Sequence, residues 1–497
     1  MAIDITDNEQ KIIESILDEY KDYAFYYYGS RVKGLSEKTS DLDVLIEGKQ
    51  EMPLSELQKL KEKFDNSKLP YIVNFSDYHR INQDFFKRIC SNLIPYNWQE
   101  VKLGDICDVR DGTHDTPKES SEGKYLVTSK HIKGGKIDLS SAYKISLEDF
   151  NFVNQRSKVD KWDILISMIG TVGEICLVSE YPDFAIKNVG LIKTGNEYLA
   201  KYLYYYLKSP TAQNDILSRL KGTTQQYLSL GEIRNFPVII PPLEIQKKIA
   251  GVLGALDDKI ELNNKINNNL EQQAQALFKS WFIDFEPFGG VMPEDWKIGR
   301  LGEIAEIIMG QSPNGSSYNE EKSGCIFFQG RAEFGARFPR VRLYTTEPKR
   351  MAQTGDVIMS VRAPVGDFNV AMDNCCIGRG LCAIRSKQNC QSFILYTIWA
   401  SQDRLNIFNG EGTVFGSVNK DSLYNMPVTI PTNEIMIKFE NTYSVLDRLI
   451  WNNSLENTRL AALRDTLLPK LMKGEIDVSN VNISSLTSTD KLSFTED

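Results

Sequence analysis

The sequence has 497 residues, too many for a single hydrophobic core, so its length predicts several domains. Hydrophobic residues make up 41% of the chain and charged residues 25%, a globular composition that excludes a mainly disordered or fibrous protein. The net charge of −8 excludes a generally basic surface, so any nucleic-acid site has to be a local basic patch.

Histidine and cysteine usage excludes two common kinds of site. The 3 histidines are scattered and the 8 cysteines include no C-x-x-C pair, which argues against a zinc centre and against a secreted disulfide framework. No signal-peptide run opens the sequence, and no stretch approaches the roughly 18 apolar residues of a membrane helix. We therefore expect a cytoplasmic protein without a membrane partner.

The first ninety residues contain a pattern suited to phosphate and metal chemistry. An apolar strand at 24–28 ends in Gly29 and Ser30, and Asp41 and Asp43 follow shortly afterwards. Gly29 lets a phosphate approach the turn, and Ser30 offers a hydrogen-bond donor beside the next helix N-terminus. Two aspartates at alternate positions of a strand point the same way and can share a hard divalent cation.

This arrangement resembles the minimal nucleotidyltransferase domain of the DNA polymerase β superfamily, whose signature is G-S followed by D-x-D. The resemblance implies a nucleotide-binding site at Gly29, Ser30 and Arg31. It also implies a Mg²⁺ site at Asp41 and Asp43.

The third carboxylate of that family is replaced. Asn74 stands where the family places a metal-binding aspartate, and a neutral amide supplies neither the negative charge nor the base of a two-metal site. We therefore expect a weakened or inactive transferase. We expect Asp77 to lie beyond the strand. The alternative is that Asp77 moves into the site.

Two copies of one domain-sized pattern follow. W-x-x-x-x-L-G-[DE]-I begins at Trp98 and again at Trp296, and G-T…N-x-P-V-x-I-P begins at Gly222 and again at Gly412. Because such landmarks keep their order, the chain contains an internal repeat. We expect each copy to be a mixed α/β domain, with a helix at 198–220 in the first and at 391–407 in the second.

A long helical pattern closes each copy, at 243–282 and at 433–468. Heptad position a holds Leu256, Asn263 and Leu270 in the first helix and Leu446, Asn453 and Leu460 in the second. We place the companion position d three residues after each a, and Leu253, Ile260 and Ala274, four residues after a, widen the stripe of the first helix. Neither apolar stripe can be buried by its own domain, so we expect the helices to pack together, with the two asparagines fixing the register. The alternative is that both asparagines face water.

The opening and closing motifs, the duplication and the paired helices together resemble the specificity (S) subunit of type I restriction–modification systems, over residues 96 to about 475. The resemblance implies that each copy is a target recognition domain reading half of a split double-stranded DNA sequence. It further implies that the helices form an antiparallel coiled coil that spaces the halves and docks two methyltransferase subunits. S-adenosylmethionine and ATP would enter only through partner subunits, including a restriction or motor subunit, and the S region itself would be non-catalytic.

The candidate DNA contacts are basic and polar residues in or beside the segments that differ between the copies. Arginine and lysine suit guanine and phosphate, and glutamine suits adenine. In the first copy they are Arg110, His114, Lys130, His131, Lys133, Gln225 and Gln226; in the second they are Arg331, Arg337, Arg340 and Phe415.

The predicted fold class is therefore α/β and α+β, multidomain. The expected parts are a nucleotidyltransferase-like domain (1–93), target recognition domain 1 (96–242), long helix 1 (243–285), target recognition domain 2 (293–431), long helix 2 (432–475) and a disordered tail (476–497). Two other functions stay open. One is a magnesium-dependent nucleotidyltransferase delivered to DNA by the C-terminal domains, and the other is a coiled-coil adaptor without sequence readout.

Overall fold

The computed structural model describes residues 3–32, 36–37, 40–90, 93–223, 225–409, 416–479 and 481–482. The chain divides into two units, Met1–Ile260 with Arg459–Asp497, and Glu261–Thr458. Both divisions fall inside long helices, so each unit contains one globular copy and parts of both helices. Among the helices of the described ranges, none combines the length and hydropathy that a membrane crossing demands.

The N-terminal part of the first unit is a four-stranded sheet. Its strands lie in the order Val73–Asp77, Leu42–Gly48, Tyr23–Tyr28 and Ile94–Pro95, and only the first pair is parallel. Its helices are Asp7–Leu17, Leu54–Asp65 and Gln83–Ile89. Thr6 and Glu9 form a capping box that fixes the start of the first helix.

The apolar side of this sheet is part of a larger core in the first unit. Phe25 from the sheet and Leu103 from the first copy belong to the same buried cluster, with Leu471 from the end of the second long helix. Val478 is buried there too, so the start of the predicted disordered tail is packed, because its apolar side chains complete this core. Residues 483–497 of that tail lie outside the described residues.

The first globular copy contains two main sheets and two strand pairs. The sheets are Lys144–Ile145, Lys124–Thr128 and Phe184–Lys187; and Ile175–Leu177, Ile164–Ser167, Val189–Lys193 and Asp108–Asp111. The pairs are Gln99–Lys102 with Pro237–Ile240, and Ile132–Lys133 with Lys136–Ile137. The helices are Leu103–Ile106, Leu147–Ser157, Glu197–Lys208, Pro210–Ser218 and Leu230–Arg234, with a 3₁₀ turn at Ser129–His131.

The second copy repeats this plan inside the second unit. The sheets are Tyr318–Asn319, Leu343–Thr345, Cys325–Phe328, Cys375–Ile377 and Met351–Ala352; and Ala305–Met309, Leu381–Ser386, Val357–Ser360 and Phe368–Val370. Lys297–Arg300 pairs with Pro427–Ile430. The helices are Leu301–Ile304, Gln391–Ala400, Gln402–Asn406 and Lys420–Tyr424, with 3₁₀ turns at Glu286–Phe288, Gly315–Ser317, Arg331–Glu333 and Ile407–Asn409. The mixed α/β architecture of the two copies is thus as predicted.

The single helix expected in each copy is broken in two. In the first copy Ser209 ends one helix and caps the next, whose first residue is Pro210. Proline has no backbone N–H to continue the first helix but suits the first position of a new one. In the second copy the break lies at Ser401, and the second helix stops at Asn406.

The long helices span Leu243–Phe282 and Asn433–Met472. Within the second unit they run antiparallel, because Asn263 bonds Asn457 while Phe278 packs on Phe439. Asn263 is 1% exposed, so it lies in the seam and does not face water. Its amide donates to Glu456 Oε2 at 2.7 Å and to Asn457 Oδ1 at 3.0 Å.

The companion seam position is predicted only in part. Position d, three residues after a, holds exposed side chains such as Ile266, Leu449 and Leu463, and for these residues the prediction is wrong. Leu253 and Ala274, four residues after a, are buried, as the wider stripe of the first helix predicts. A heptad allows either spacing, and a polar seam residue such as Asn267, which bonds Asn453, carries no apolar signal.

Candidate nucleic-acid interface and nucleotide site

In the first copy, three loops meet around Ser129. The Ser129 hydroxyl donates to the carbonyl of Asn188 at 3.0 Å and accepts from Met168 N at 3.3 Å. The carbonyl of Met168 in turn accepts from Leu228 N at 2.9 Å, which brings the 221–228 loop to the same place. We call the surface formed by residues 129–136, 168–174, 221–223 and 225–228 the first edge.

Five of the predicted DNA contacts lie on or beside the first edge. Their side chains are exposed: Lys130, Lys133, Gln225, Gln226 and His114. His114 joins them because its Nδ1 lies 2.8 Å from Asn188 Oδ1. Its Nε2 lies 3.0 Å from Asp111 Oδ2. The structure therefore gathers two lysines, two glutamines and a histidine that are far apart in sequence.

The second copy has a corresponding edge. Val361 N donates to Gly380 O at 2.9 Å, and Val418 N donates to Val361 O at 3.0 Å, so three loops meet there as well. We call the surface formed by residues 329–331, 361–367, 378–380 and 416–418 the second edge. Arg331 lies on it and is half exposed.

A matched carboxylate anchors the divergent segment in each copy. In the first copy Glu174 accepts from Gly134 N at 3.0 Å. In the second, Asp367, the repeat equivalent of Glu174, forms an ion pair with Arg331. The same landmark thus holds two unrelated loops, one through a backbone amide and one through a guanidinium.

Other predicted contacts lie elsewhere. His131 is buried, and its Nδ1 accepts from Thr128 N at 2.9 Å, so it stabilises the turn. Burial lowers its pKa. Arg110 is held by Asp108 at 2.6 Å and donates to the carbonyl of Arg156 at 3.0 Å.

In the second copy, Arg337 is 11% exposed and pairs with Glu271 and Asp447 of the long helices. Arg340 is exposed but lines a cleft of about 970 Å³ with Asn264 and Trp451. Phe415 lies outside the described residues.

At the N-terminal sheet, the predicted metal ligands lie together. Asp43 and Asn74 are register partners on parallel strands, and Asp41 precedes the first of these strands. Asn74 Nδ2 donates to Asp41 Oδ2 at 3.1 Å and to Asp43 Oδ1 at 3.4 Å. Burial raises the pKa of Asp43, and Asp41 adds to this, while the Asn74 hydrogen bond opposes it.

The side chains of Asp41, Asp43 and Asn74 fit one weakly bound cation, but they do not fit a two-metal centre. The amide that replaces the third carboxylate donates hydrogen bonds to both aspartates, which is the role a cation would take. Within the described residues, no three His, Cys, Asp or Glu side chains converge as a metal-binding group. Gly29 has φ +87°, and a Cβ there would lie 2.1 Å from Asp43 Oδ2, so the turn requires glycine.

Two expectations for this site are wrong. Arg31 is buried, donates to the carbonyl of Ser40 at 2.8 Å and stacks on the Tyr71 ring at 3.7 Å, so its guanidinium is committed to structure and not to a nucleotide. Asp77 ends the strand and does not lie beyond it. It accepts from Met52 N at 2.7 Å, which holds its carboxylate away from the aspartate pair.

Comparison with known proteins identifies both parts of the chain. Residues 95–272 and 293–465 match the family model described as the type I restriction modification DNA specificity domain. The chain belongs to this family. Residues 9–100 match the nucleotidyltransferase domain model.

Its relatives include complete specificity subunits. It is 29% identical over 417 residues to the protein assigned as the MjaX specificity subunit of Methanocaldococcus jannaschii, covering 80% of this chain and 97% of the relative. It is 26% identical to the HsdS subunit of Thermoanaerobacter tengcongensis, with a TM-score of 0.30 and coverage of 77% and 98%. Its N-terminal part is 37% identical over 84 residues to the Haemophilus influenzae protein named a probable protein adenylyltransferase, MntA, covering 17% of this chain and 74% of the relative. The N-terminal domain therefore belongs to the nucleotidyltransferases.

Sequence reasoning missed two cations of this specificity-family chain. Arg362 and Arg379 are exposed on the second edge, beside Arg331. Arg362 forms a β-bridge with Ser417, as Ile169 does with Tyr227 in the first copy. The available signal was the repeat itself, since Arg362 lies two residues after the matched Ser360, as Ile169 lies two residues after Ser167.

Proposed function

We propose that this chain selects a bipartite DNA target for a type I restriction–modification assembly, each copy reading one half. The observation that carries the proposal is the duplication. The specificity-domain model matches both copies, and both bring their divergent segments to corresponding edges. Two readers built on one scaffold but carrying different side chains suit a target with two different halves.

The side chains on the edges have suitable chemistry. Arg331, Arg362 and Arg379 on the second edge can donate in pairs to guanine or hold phosphates. On the first edge Lys130 and Lys133 suit phosphates, and Gln225 and Gln226 suit adenine. Because the whole chain carries a net charge of −8, we infer that partner subunits supply much of the remaining phosphate contact.

The long helices serve in this proposal as an antiparallel coiled coil that docks methyltransferase subunits, two in number if each copy directs one. S-adenosylmethionine would then belong to those subunits, and ATP to a restriction or motor subunit. The proposal is supported by the antiparallel pairing of the long helices.

The test is co-expression with methyltransferase subunits followed by methylome sequencing. A bipartite methylated motif that is lost when this chain is deleted would support the proposal. Replacing residues 96–242 with another such domain should change one half of that motif only. A chain that produces no sequence-specific methylation, and that enriches no sequence from a random duplex pool, would instead be an adaptor.

For the N-terminal domain we infer a residual nucleotidyltransferase site that binds Mg²⁺ and a nucleotide through Gly29, Ser30, Asp41 and Asp43. The family match and the convergence of both aspartates support binding, while Asn74 argues against efficient transfer. Incubation with Mg²⁺ and labelled nucleoside triphosphates tests this. Label transfer abolished by Asp41→Ala and Asp43→Ala would favour an active transferase, and absence of transfer would favour a binding module.

A further inference from the structure

The second unit contains a buried arginine that joins the divergent segment of its copy to both long helices. Arg337 pairs with Glu271 of the first long helix and with Asp447 of the second. It also donates to the Tyr396 hydroxyl at 3.2 Å, and its guanidinium lies 5.6 Å from the centre of that ring. One side chain thus contacts three helices of the second unit.

The first unit has the same tyrosine–aspartate contact without the loop arginine. The Tyr205 hydroxyl donates to Asp257 Oδ2 at 2.8 Å, as the Tyr396 hydroxyl does to Asp447 at 3.2 Å. Asp257 follows Leu256 and Asp447 follows Leu446, so the two aspartates are repeat equivalents.

The two equivalent aspartates pair with arginines from different parts of the chain. Asp257 is paired with Arg464 of the second long helix at 2.6 Å. The repeat equivalent of Arg464 is Ala274, which is fully buried and offers no charge. Arg337 therefore supplies from a loop the charge that a helix supplies in the first unit.

Glu271, the other carboxylate that pairs with Arg337, is replaced by an uncharged residue at the equivalent position of the repeat. Glu271 follows Leu270, and its repeat equivalent after Leu460 is Ala461. Arg337 is thus matched by Glu271 and Asp447 together, and its fork-shaped guanidinium can hold two carboxylates at once.

The backbone around Arg337 transmits this restraint to the second edge. The carbonyl of Arg337 accepts from Val370 N at 2.9 Å, and Gly335 N donates to Asn369 Oδ1 at 2.9 Å. Both partners lie on the strand Phe368–Val370, directly after Asp367, which holds Arg331. The segment from Arg331 to Arg337 is therefore fixed at both ends.

We propose that Arg337 is a positioning residue that ties the reading segment of the second copy to the long helices and so sets that copy's discrimination between DNA sequences. The inference rests on the proposed function, since it concerns how one half of the target is read. It also means that a foreign second copy needs an arginine here to match Glu271 and Asp447.

The experiment selects duplexes from a random pool with the full chain assembled with its methyltransferase subunits. Arg337→Met should reduce discrimination in one half of the target at least tenfold and leave the other half unchanged. Arg331→Ala identifies the half read by the second copy. Arg337→Lys keeps the charge but loses the fork, so it should restore discrimination only in part.

Arg464→Met is the matched control, because it removes the equivalent cation of the first unit without touching a reading segment. It should leave discrimination in both halves intact. If Arg337→Met alone fails to fold, Arg337→Met with Glu271→Gln removes the cation and one carboxylate together and is tested in its place.

Arg337 variants that read both halves as the wild type does, or that weaken both halves equally, would overturn the positioning role. A wild-type complex that enriches no bipartite sequence at all would refute the proposed function, and this inference with it. The two failures are therefore distinguishable, because only the first leaves a bipartite target in the wild-type selection.

Discussion

The two globular copies share a scaffold but close their cores with different chemistry. In the second copy, aromatic rings from both long helices and from the domain meet, and Phe439 stacks on Tyr443 with ring centroids 3.8 Å apart. In the first copy the equivalent of Phe439 is Ile249, and the core continues into the N-terminal domain and the end of the second long helix. The repeat therefore preserves strand pairing and helix position, while the side chains that fill the core are free to diverge.

The largest expected effect comes from emptying the aromatic cluster. Phe439→Ala should destabilise the second unit by about 3–5 kcal/mol, because a fully buried ring leaves a cavity. Ile249→Ala, its repeat equivalent, should act on the first unit instead. Hydrogen exchange read by mass spectrometry would locate each loss of protection. Ile437→Ala, on the same helix but 51% exposed, is the control, and losses that spread over both units from either variant would break the comparison.

A smaller effect separates the two seam asparagines. Asn263→Ala should cost about 1–3 kcal/mol, because it leaves the buried Glu456 and Asn457 contacts unmade. Asn453→Ala should cost less stability, because Asn453 is half-buried and its amide donates to Asn267 Oδ1 at 2.9 Å. Urea midpoints measure both, with the exposed Asn268→Ala as reference. A larger loss of stability from Asn453→Ala than from Asn263→Ala would show that burial does not determine which of the two substitutions costs more.

The N-terminal domain belongs to the core of the first unit only, so a change there should be felt by that unit alone. Asn74→Asp places a third carboxylate near Asp41 and Asp43 and should destabilise by about 1 kcal/mol without magnesium. Added Mg²⁺ should then raise the melting temperature and the exchange protection of the first unit. Asn74→Leu, which adds no charge, should show no such response, and a magnesium-independent Asn74→Asp would contradict the assignment of the metal site.

The smallest effect concerns pH and the second copy. Burial raises the pKa of Glu440 above its ordinary value of 4.5, against the hydrogen bonds from Phe393 N and Ser392; its repeat equivalent is Ala250. The folded state then holds the proton more tightly than the unfolded state, so stability falls as pH rises from 4.5 through the folded pKa. Glu440→Gln should flatten that decline in urea unfolding across pH. The exposed Glu434→Gln serves as control, and an unchanged slope in Glu440→Gln would exclude this carboxyl as the cause.

Much of the fold was predictable because its signals are local. The helix at Leu243–Phe282 has the predicted bounds, since a periodic apolar pattern without proline follows Pro242. The seam position of Asn263 was also predicted. Its companion positions were predicted only in part. Leu253 and Ala274 are buried in the stripe, but Ile266 and Leu449 are apolar yet exposed, while Asn267 and Asn457 are polar yet paired across the helices.

The candidate site residues also divide into those that local sequence signals place correctly and those that only the structure places. Asp41 and Asp43 lie together because side chains alternate along a strand, and Asn74 meets them as the resemblance to the nucleotidyltransferase family implies, through a parallel strand pairing that the structure shows. Arg31, His131 and Arg337 resemble ligand contacts in sequence, but each is held in a contact within the protein: Arg31 donates to the carbonyl of Ser40, His131 accepts from Thr128 N and Arg337 pairs with Asp447. The identity of a basic side chain does not show whether a carboxylate or a carbonyl of the same protein will pair with it in place of a ligand.

The sequence by itself determined the duplication and the extent of the first long helix, since these depend on residue order and short-range geometry, and its family resemblance marked the replacement of a metal-binding carboxylate by Asn74. Only the tertiary structure decided which face of each helix is buried, which loops meet at the two edges and which arginine is consumed as a structural ion pair. The physical reason is that burial and pairing are properties of residues brought together from different segments, and pairing energy depends on distances that the chain acquires only when it folds.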